Sequence, residues 1–103
     1  MEKFYSKANT YGVGKEPIER TGRVIETKTN LFGIYKNDYN DFDIIDLNTG
    51  LSVNYLNYYR LKDIKANIDK YDERLNGLKQ RSPKVYKQAC DEWIDLLNKN
   101  KKS

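Results

Sequence analysis

Between Leu31 and Val53, short apolar runs alternate with knots of Asn, Asp, Thr and Gly. Leu31–Lys36 carries Phe32, Ile34 and Tyr35, and Phe42–Leu47 carries Phe42, Ile44 and Ile45. β-Branched and aromatic residues at that density suit a pleated, half-buried surface, so both runs read as strands. Asn37, Asp38, Asn40 and Asp41 separate them; such side chains bond nearby backbone and tolerate left-handed dihedrals. A second turn, Asn48-Thr49-Gly50, ends in the residue that takes positive φ without steric cost. Leu51-Ser52-Val53 then reads as a short return strand. Upstream, Arg23–Lys28 is a further strand, joined to Leu31–Lys36 through Thr29-Asn30. The pattern predicts an antiparallel β-meander of three to four strands over residues 23–54. So small a sheet is marginal alone and needs a covering layer.

The apolar period then changes. Leu61, Ile64, Ile68, Tyr71, Leu75 and Leu78 recur at threes and fours, the stripe of an amphipathic helix with near-heptad spacing. Gly77 weakens its last turn by about 1 kcal/mol relative to Ala, or marks its end. Ser82-Pro83 pairs a capping hydroxyl with the residue best suited to a first helical position. A second helix follows from Pro83 to Asn98, with Val85 or Tyr86, then Ala89, Cys90, Trp93, Leu96 and Leu97 as its stripe. The short link at Gln80–Arg81 predicts an antiparallel αα-hairpin within residues 58–98. The fold class is therefore α+β: a small meander followed by an αα-hairpin, with at least one helix on the sheet.

Residues 1–22, punctuated by Gly12, Gly14 and Pro17, read as an irregular arm with Phe4 and Tyr5 tucked against the body. Gly12-Val13-Gly14-Lys15 lacks the spacing and the following Ser or Thr of a phosphate loop. Residues 99–103 read as a frayed basic tail.

Composition narrows the chemistry. A chain of 103 residues with 38% hydrophobic content supports one domain and one modest core. No apolar run reaches eighteen residues, and MEKFYSKANT has no apolar h-region, so neither a membrane helix nor a secretory signal is expected. Cys90 is the single cysteine, which fits a reducing cytoplasm. The chain has no histidine, which removes His acid–base catalysis and the common zinc sites. Cys90 lies on an apolar stripe, and no Ser, Thr or Lys has a visible base beside it in sequence. The chain reads as non-enzymatic, with no catalytic residue, no metal and no cofactor.

Binding chemistry is better represented. Nine tyrosines offer large area at low entropic cost. Tyr55, Leu56, Tyr58 and Tyr59 crowd the approach to the first helix, either as an aromatic partner patch or as a seal of the sheet–helix seam. Asp38, Asp41, Asp43 and Asp46 form an acidic cluster whose spacing fails the calcium-loop pattern. It reads as a phosphate-mimicking patch for a basic groove on another protein, or as a solvated turn guarding a sheet edge. Interface energy concentrates in aromatic anchors with polar rims, which selects Tyr39, Asp41, Tyr55, Tyr58 and Tyr59 as the partner-binding set. Tyr39, inside a turn of Asn and Asp, is the one expected to be most exposed.

Charge suggests a second class of partner. Residues 1–54 hold seven basic and eight acidic side chains; residues 55–103 hold twelve and seven, a net of +5. Arg60, Lys62, Lys65, Arg81, Lys84 and Lys87 form the candidate nucleic-acid face, diluted by Asp63, Asp69, Asp72 and Glu73. A homodimer through the Leu61–Leu78 stripe competes with use of that stripe as core.

Phe42–Leu75 resembles a recurrent pattern in the large polyvalent proteins of phages and conjugative elements. The matching residues are Asp46, Thr49-Gly50-Leu51-Ser52-Val53 and Arg60-Leu61-Lys62-Asp63; Asn54–Tyr59 departs from the pattern with an aromatic link. The resemblance implies a mobile-element protein of the bacterial cytoplasm that counters host defence. It transfers no functional residue.

Overall fold

The structure, a computed structural model, describes residues 1–7, 16–53 and 60–101. Its antiparallel sheet has five strands in chain order: β1 (Glu2–Lys7), β2 (Pro17–Glu26), β3 (Leu31–Lys36), β4 (Phe42–Asp46) and β5 (Leu51–Ser52). Three helices follow: α1 (Leu61–Ala66), α2 (Ile68–Arg81) and α3 (Pro83–Lys101). The fold is α+β and its sheet is a meander. The sheet curls until its first and last strands meet, where the Lys7 N–H donates to the Gly50 carbonyl at 2.7 Å. None of the helices among the described residues is long and apolar enough to cross a membrane.

Strand alternation explains why β3 is so apolar. Ile34 stands opposite Ile44 on one face, and Gly33 opposite Ile45 on the other. Phe32, Ile34 and Ile44 join Val53, Ile64, Tyr71 and Leu75 in the main core beneath the helices. Tyr35 and Ile45 point the other way and pack with Phe4, Val24 and Leu47. With both faces covered, the run Leu-Phe-Gly-Ile-Tyr is continuous rather than alternating. Each fully buried aliphatic side chain in this core contributes about 1.5–3 kcal/mol of transfer free energy.

The layer over the second face corrects the expectation of an irregular arm. Residues 2–7 and 17–22 form a β-hairpin in the register Glu2↔Gly22 to Lys7↔Pro17. Phe4 and Ser6 face inward and are buried, whereas Tyr5 is exposed. Two inward residues in a strand otherwise rich in charge leave too weak a period to read. β2 thus begins at Pro17 rather than Arg23, and its residues Arg23–Glu26 turn to pair with β3.

The helical part also departs from expectation. Among the described residues three helices stand where two were predicted, because Asn67 interrupts the first. The Asn67 side-chain amide donates to the Asp63 carbonyl at 2.8 Å, and its backbone takes φ −115° and ψ 21°. The apolar spacing continues across the break: Leu61, Ile64, Ile68, Tyr71, Leu75 and Leu78 all pack in the main core. That stripe is therefore used as core within the chain. On α3 the inward residue is Tyr86, and Val85 is exposed. Pro83 opens α3 as expected, but the helix runs on to Lys101, past the predicted end at Asn98.

Two polar seams fasten the helices to the sheet. At the first, the buried Asp46 carboxylate accepts from the Tyr86 hydroxyl at 2.7 Å, the Thr49 hydroxyl at 3.1 Å and the Asn48 N–H at 3.1 Å. The Trp93 Nε1–H donates to the Leu47 carbonyl at 3.2 Å. Gly50 takes φ +71°, and a Cβ there would sit 2.7 Å from the Trp93 ring, so this turn needs Gly on both counts. At the second seam, Asp72 accepts from Thr27, Thr29 and Asn30 in the β2–β3 link. Asn76 bonds Thr29 and Asn30, and the Lys79 ammonium donates to the Thr29 carbonyl and the Asn30 side chain. Burial opposes the Asp72 charge, but hydrogen bonds from Thr27, Asn30 and Thr29 and the nearby Lys79 outweigh it and hold the carboxyl below its ordinary value.

Candidate partner-binding site

The turn between β3 and β4 is short, polar and heavily cross-bonded. The Asn37 side-chain oxygen accepts from the N–H groups of Tyr39 at 2.9 Å and Asp41 at 3.1 Å. The Asn37 N–H donates to the Asp41 carbonyl at 2.8 Å, and the Asn40 N–H to the Asn37 carbonyl at 3.2 Å. Asn40 takes φ +67°, a left-handed conformation that Asn accepts more readily than most residues. The local sequence therefore builds a defined turn from its own side chains. Tyr39 is carried at its tip with 86% of its surface exposed, flanked by exposed Asp38 and Asp41.

The base of the turn is tied into the second face of the sheet. The Asn37 amide donates to Asp43 Oδ1 at 3.1 Å, and the Tyr35 hydroxyl donates to Asp43 Oδ2 at 2.9 Å. Arg20 lies 4.4 Å from the Tyr35 ring centroid, and its Nε–H donates to the Ser6 hydroxyl at 3.0 Å. Burial, reinforced by the bond to Asp43, pushes the Tyr35 hydroxyl up to about 12. This row, from Ser6 through Arg20 and Tyr35 to Asp43 and Asn37, couples the exposed tip to the β1–β2 hairpin.

The four aspartates of the acidic cluster do not act together. Asp43 and Asp46 lie on opposite faces of β4, as strand alternation requires. Asp46 is spent on α3 and Asp43 on Tyr35 and Asn37, which leaves Asp38 and Asp41 as the exposed acids of the turn.

Of the predicted partner-binding set, Tyr39 and Asp41 share this turn. Tyr55, Tyr58 and Tyr59 lie outside the described residues. Arg60, Lys62, Lys65, Arg81, Lys84 and Lys87 are all exposed, but they are spread over the approach to α1, α1 itself, the end of α2 and the start of α3. Asn37, Tyr35 and Arg20 were not singled out as site residues by sequence reasoning, and Asp43 entered only as a member of the acidic cluster. The signal for the first was present, since an Asn opening a turn is the residue that bonds the N–H two positions on. The pairing of Tyr35 with Asp43 needs the β3–β4 register, which no local pattern supplies.

Cys90 is half-buried on α3, and burial pushes its thiol up, away from nucleophilic use. Comparison of the chain with protein-family models, curated proteins and solved structures found no match.

Proposed function

We propose that this is a small non-enzymatic phage or plasmid protein that binds and inhibits a host protein or protein–nucleic-acid complex. The activity would be counter-defence, directed at an effector such as a CRISPR or restriction complex. The observation that carries the reading is Tyr39: a large aromatic, 86% exposed, on a turn whose conformation Asn37 has already set. Exposed single hydrophobics are ordinary, but an aromatic on a turn whose backbone is preset, with exposed carboxylates at Asp38 and Asp41 nearby, has the make-up of an interface anchor with a polar rim. The turn's backbone has little freedom left to lose on binding, and the flanking Asp38 and Asp41 favour a basic partner surface. Occupation of such a surface inhibits by excluding the nucleic acid that it normally holds.

The test uses bacteria that carry a CRISPR or restriction system and express the protein. Phage plating should rise with the wild-type chain and return to the defended level with the Tyr39→Ala/Asp41→Ala variant. Affinity capture on the same cells should recover an effector subunit with the wild-type chain and lose it with the variant. Plating that stays at the defended level across several such systems would remove the reading. Equal inhibition by both chains would remove the turn as its site.

A further inference from the structure

On the second face of the sheet, beside the base of the Tyr39 turn, Arg20 holds a charge that no carboxylate of the chain pairs. Strand register sets it opposite Phe4, on the inward side of the β1–β2 hairpin, and its side chain is half-buried. Its Nε–H donates to the hydroxyl of buried Ser6 at 3.0 Å, and its guanidinium carbon lies 4.4 Å from the centroid of the Tyr35 ring. These two contacts hold the guanidinium by one edge and one face. Among the described residues, neither of its terminal nitrogens has a hydrogen-bond or ion-pair partner. All fifteen acidic side chains of the chain belong to the described residues, since 8–15, 54–59 and 102–103 contain no Asp or Glu. Every buried side-chain nitrogen and oxygen among the described residues is bonded, so these two nitrogens reach solvent.

A carboxylate can meet a guanidinium along the side that presents Nε and one terminal nitrogen, or at the end that presents both terminal nitrogens. Ser6 occupies the side and leaves the end. Contact with Tyr35 and Ser6 removes freedom that a mobile Arg would lose on binding, so the fork is preset. The nearest acids are already engaged, Asp43 with the Tyr35 hydroxyl and the Asn37 amide. Asp43 and Asp38 both act on the Tyr35 hydroxyl, so an incoming anion meets two fixed negative charges. A singly charged carboxylate bears that repulsion better than a doubly charged phosphate.

We propose that Arg20 is a docking point for a single carboxylate, gripped end-on by its two terminal nitrogens, and that this carboxylate is an Asp or Glu side chain of the protein that the Tyr39 turn engages. The anion site stands on the geometry of Arg20 alone; its occupation by a partner side chain rests on the function proposed for the turn. The row from Arg20 through Tyr35 and Asp43 to Asn37 joins the two. The partner surface is then basic opposite Asp38 and Asp41 and carries one acid opposite Arg20, a pattern that discriminates it from a uniformly basic groove.

NMR of the isotope-labelled full chain tests the site. The backbone amide signals of Ser6, Arg20 and Tyr35 are followed during titration with sodium acetate, with sodium chloride and sodium phosphate at matched ionic strength as the other arms. Acetate should move them along a saturable curve with a midpoint of roughly 10–100 mM, as one charge-assisted bidentate pair at a half-exposed site implies. Chloride should move them weakly and without saturation. Arg20→Lys keeps the charge but lacks the fork, and should lose the curve; its thermal unfolding separates a lost site from a lost fold. Non-saturable shifts in acetate, an unchanged curve in Arg20→Lys, or a lower midpoint for phosphate than for acetate would each overturn the carboxylate site. In affinity capture from the defended bacteria, Arg20→Lys should lower recovery of the effector subunit at least about fivefold. Full recovery with Arg20→Lys, beside loss with Tyr39→Ala/Asp41→Ala, overturns the partner carboxylate and leaves the turn standing. A saturable acetate curve with no capture by the wild-type chain overturns the function of the turn, and the partner side chain with it, and upholds the anion site.

Discussion

The two turns that bracket β4 are built from the same residue types and do opposite things. Asn37–Asp41 and Leu47–Gly50 both combine Asn or Asp with a residue at positive φ. The first projects, turning its polar side chains back on its own backbone so that its one aromatic, Tyr39, points into solvent. The second is covered by α3. Thr49 and Gly50 are buried, Asp46 binds Tyr86, and the Trp93 ring lies against Gly50. The difference is made by what lies above each turn, not by what is in it. A polar turn under a helix must satisfy every group it buries, and Asp46 does so with three donors. A polar turn in water is under no such demand, and its residues are available for a partner.

The sharpest way to break the comparison is to remove the cover. Trp93→Ala deletes a ring that is 2% exposed and should cost about 3–5 kcal/mol. Urea unfolding measures it, and a loss below 1 kcal/mol would mean that α3 is not a structural lid on the second turn. Tyr86→Phe deletes only the hydroxyl that donates to buried Asp46, and about 1.5–3 kcal/mol should be lost because the acceptor is charged.

Much of this contrast was legible, and the missing parts have physical causes. Density of β-branched and aromatic residues marked β3 and β4, and Ser82-Pro83 marked the start of α3. The exposure of Tyr39 followed from its Asn and Asp neighbours. The β1–β2 hairpin escaped because Phe4 and Ser6 are the only buried side chains of β1. Its trace lay elsewhere, in the unbroken apolar run of β3, which demands cover on both faces. The break at Asn67 escaped because the apolar spacing runs through it without a gap; only a side-chain bond to Asp63 marks it. The direction of Asp72 and Lys79 escaped because charge order along a helix does not say which charges meet a loop far away in sequence.

The seam at Asp72 sharpens the comparison by pH. Its folded pKa is depressed, so its contribution is fully present above the ordinary carboxylate value of about 4 and is lost as pH falls below it. Asp72→Asn should therefore lower stability more at neutral pH than at pH about 3, and the variant's stability should depend less on pH across that window. Parallel denaturation curves for the two chains at both pH values would show that this seam carries no linked charge.

The smallest expected effect on stability belongs to the exposed turn, and it is the most informative about function. Tyr39→Ala/Asp41→Ala removes two side chains that lie in water, while the bonds that shape the turn use their backbone N–H groups and the Asn37 side chain. Those bonds survive the substitution, so the unfolding midpoint should shift by no more than about 0.5 kcal/mol implies. Asn37→Ala is the contrasting change. It strips the acceptor from both N–H groups and the donor from Asp43, and should cost about 1 kcal/mol while leaving Tyr39 chemically intact. A partner that reads a preset turn loses affinity in both variants, although only the second is less stable. A partner that reads the aromatic and acidic side chains alone loses affinity in the first and keeps it in the second. A double variant as destabilised as Trp93→Ala would show instead that Tyr39 and Asp41 support the fold, and the distinction between a covered turn and an offered one would be lost.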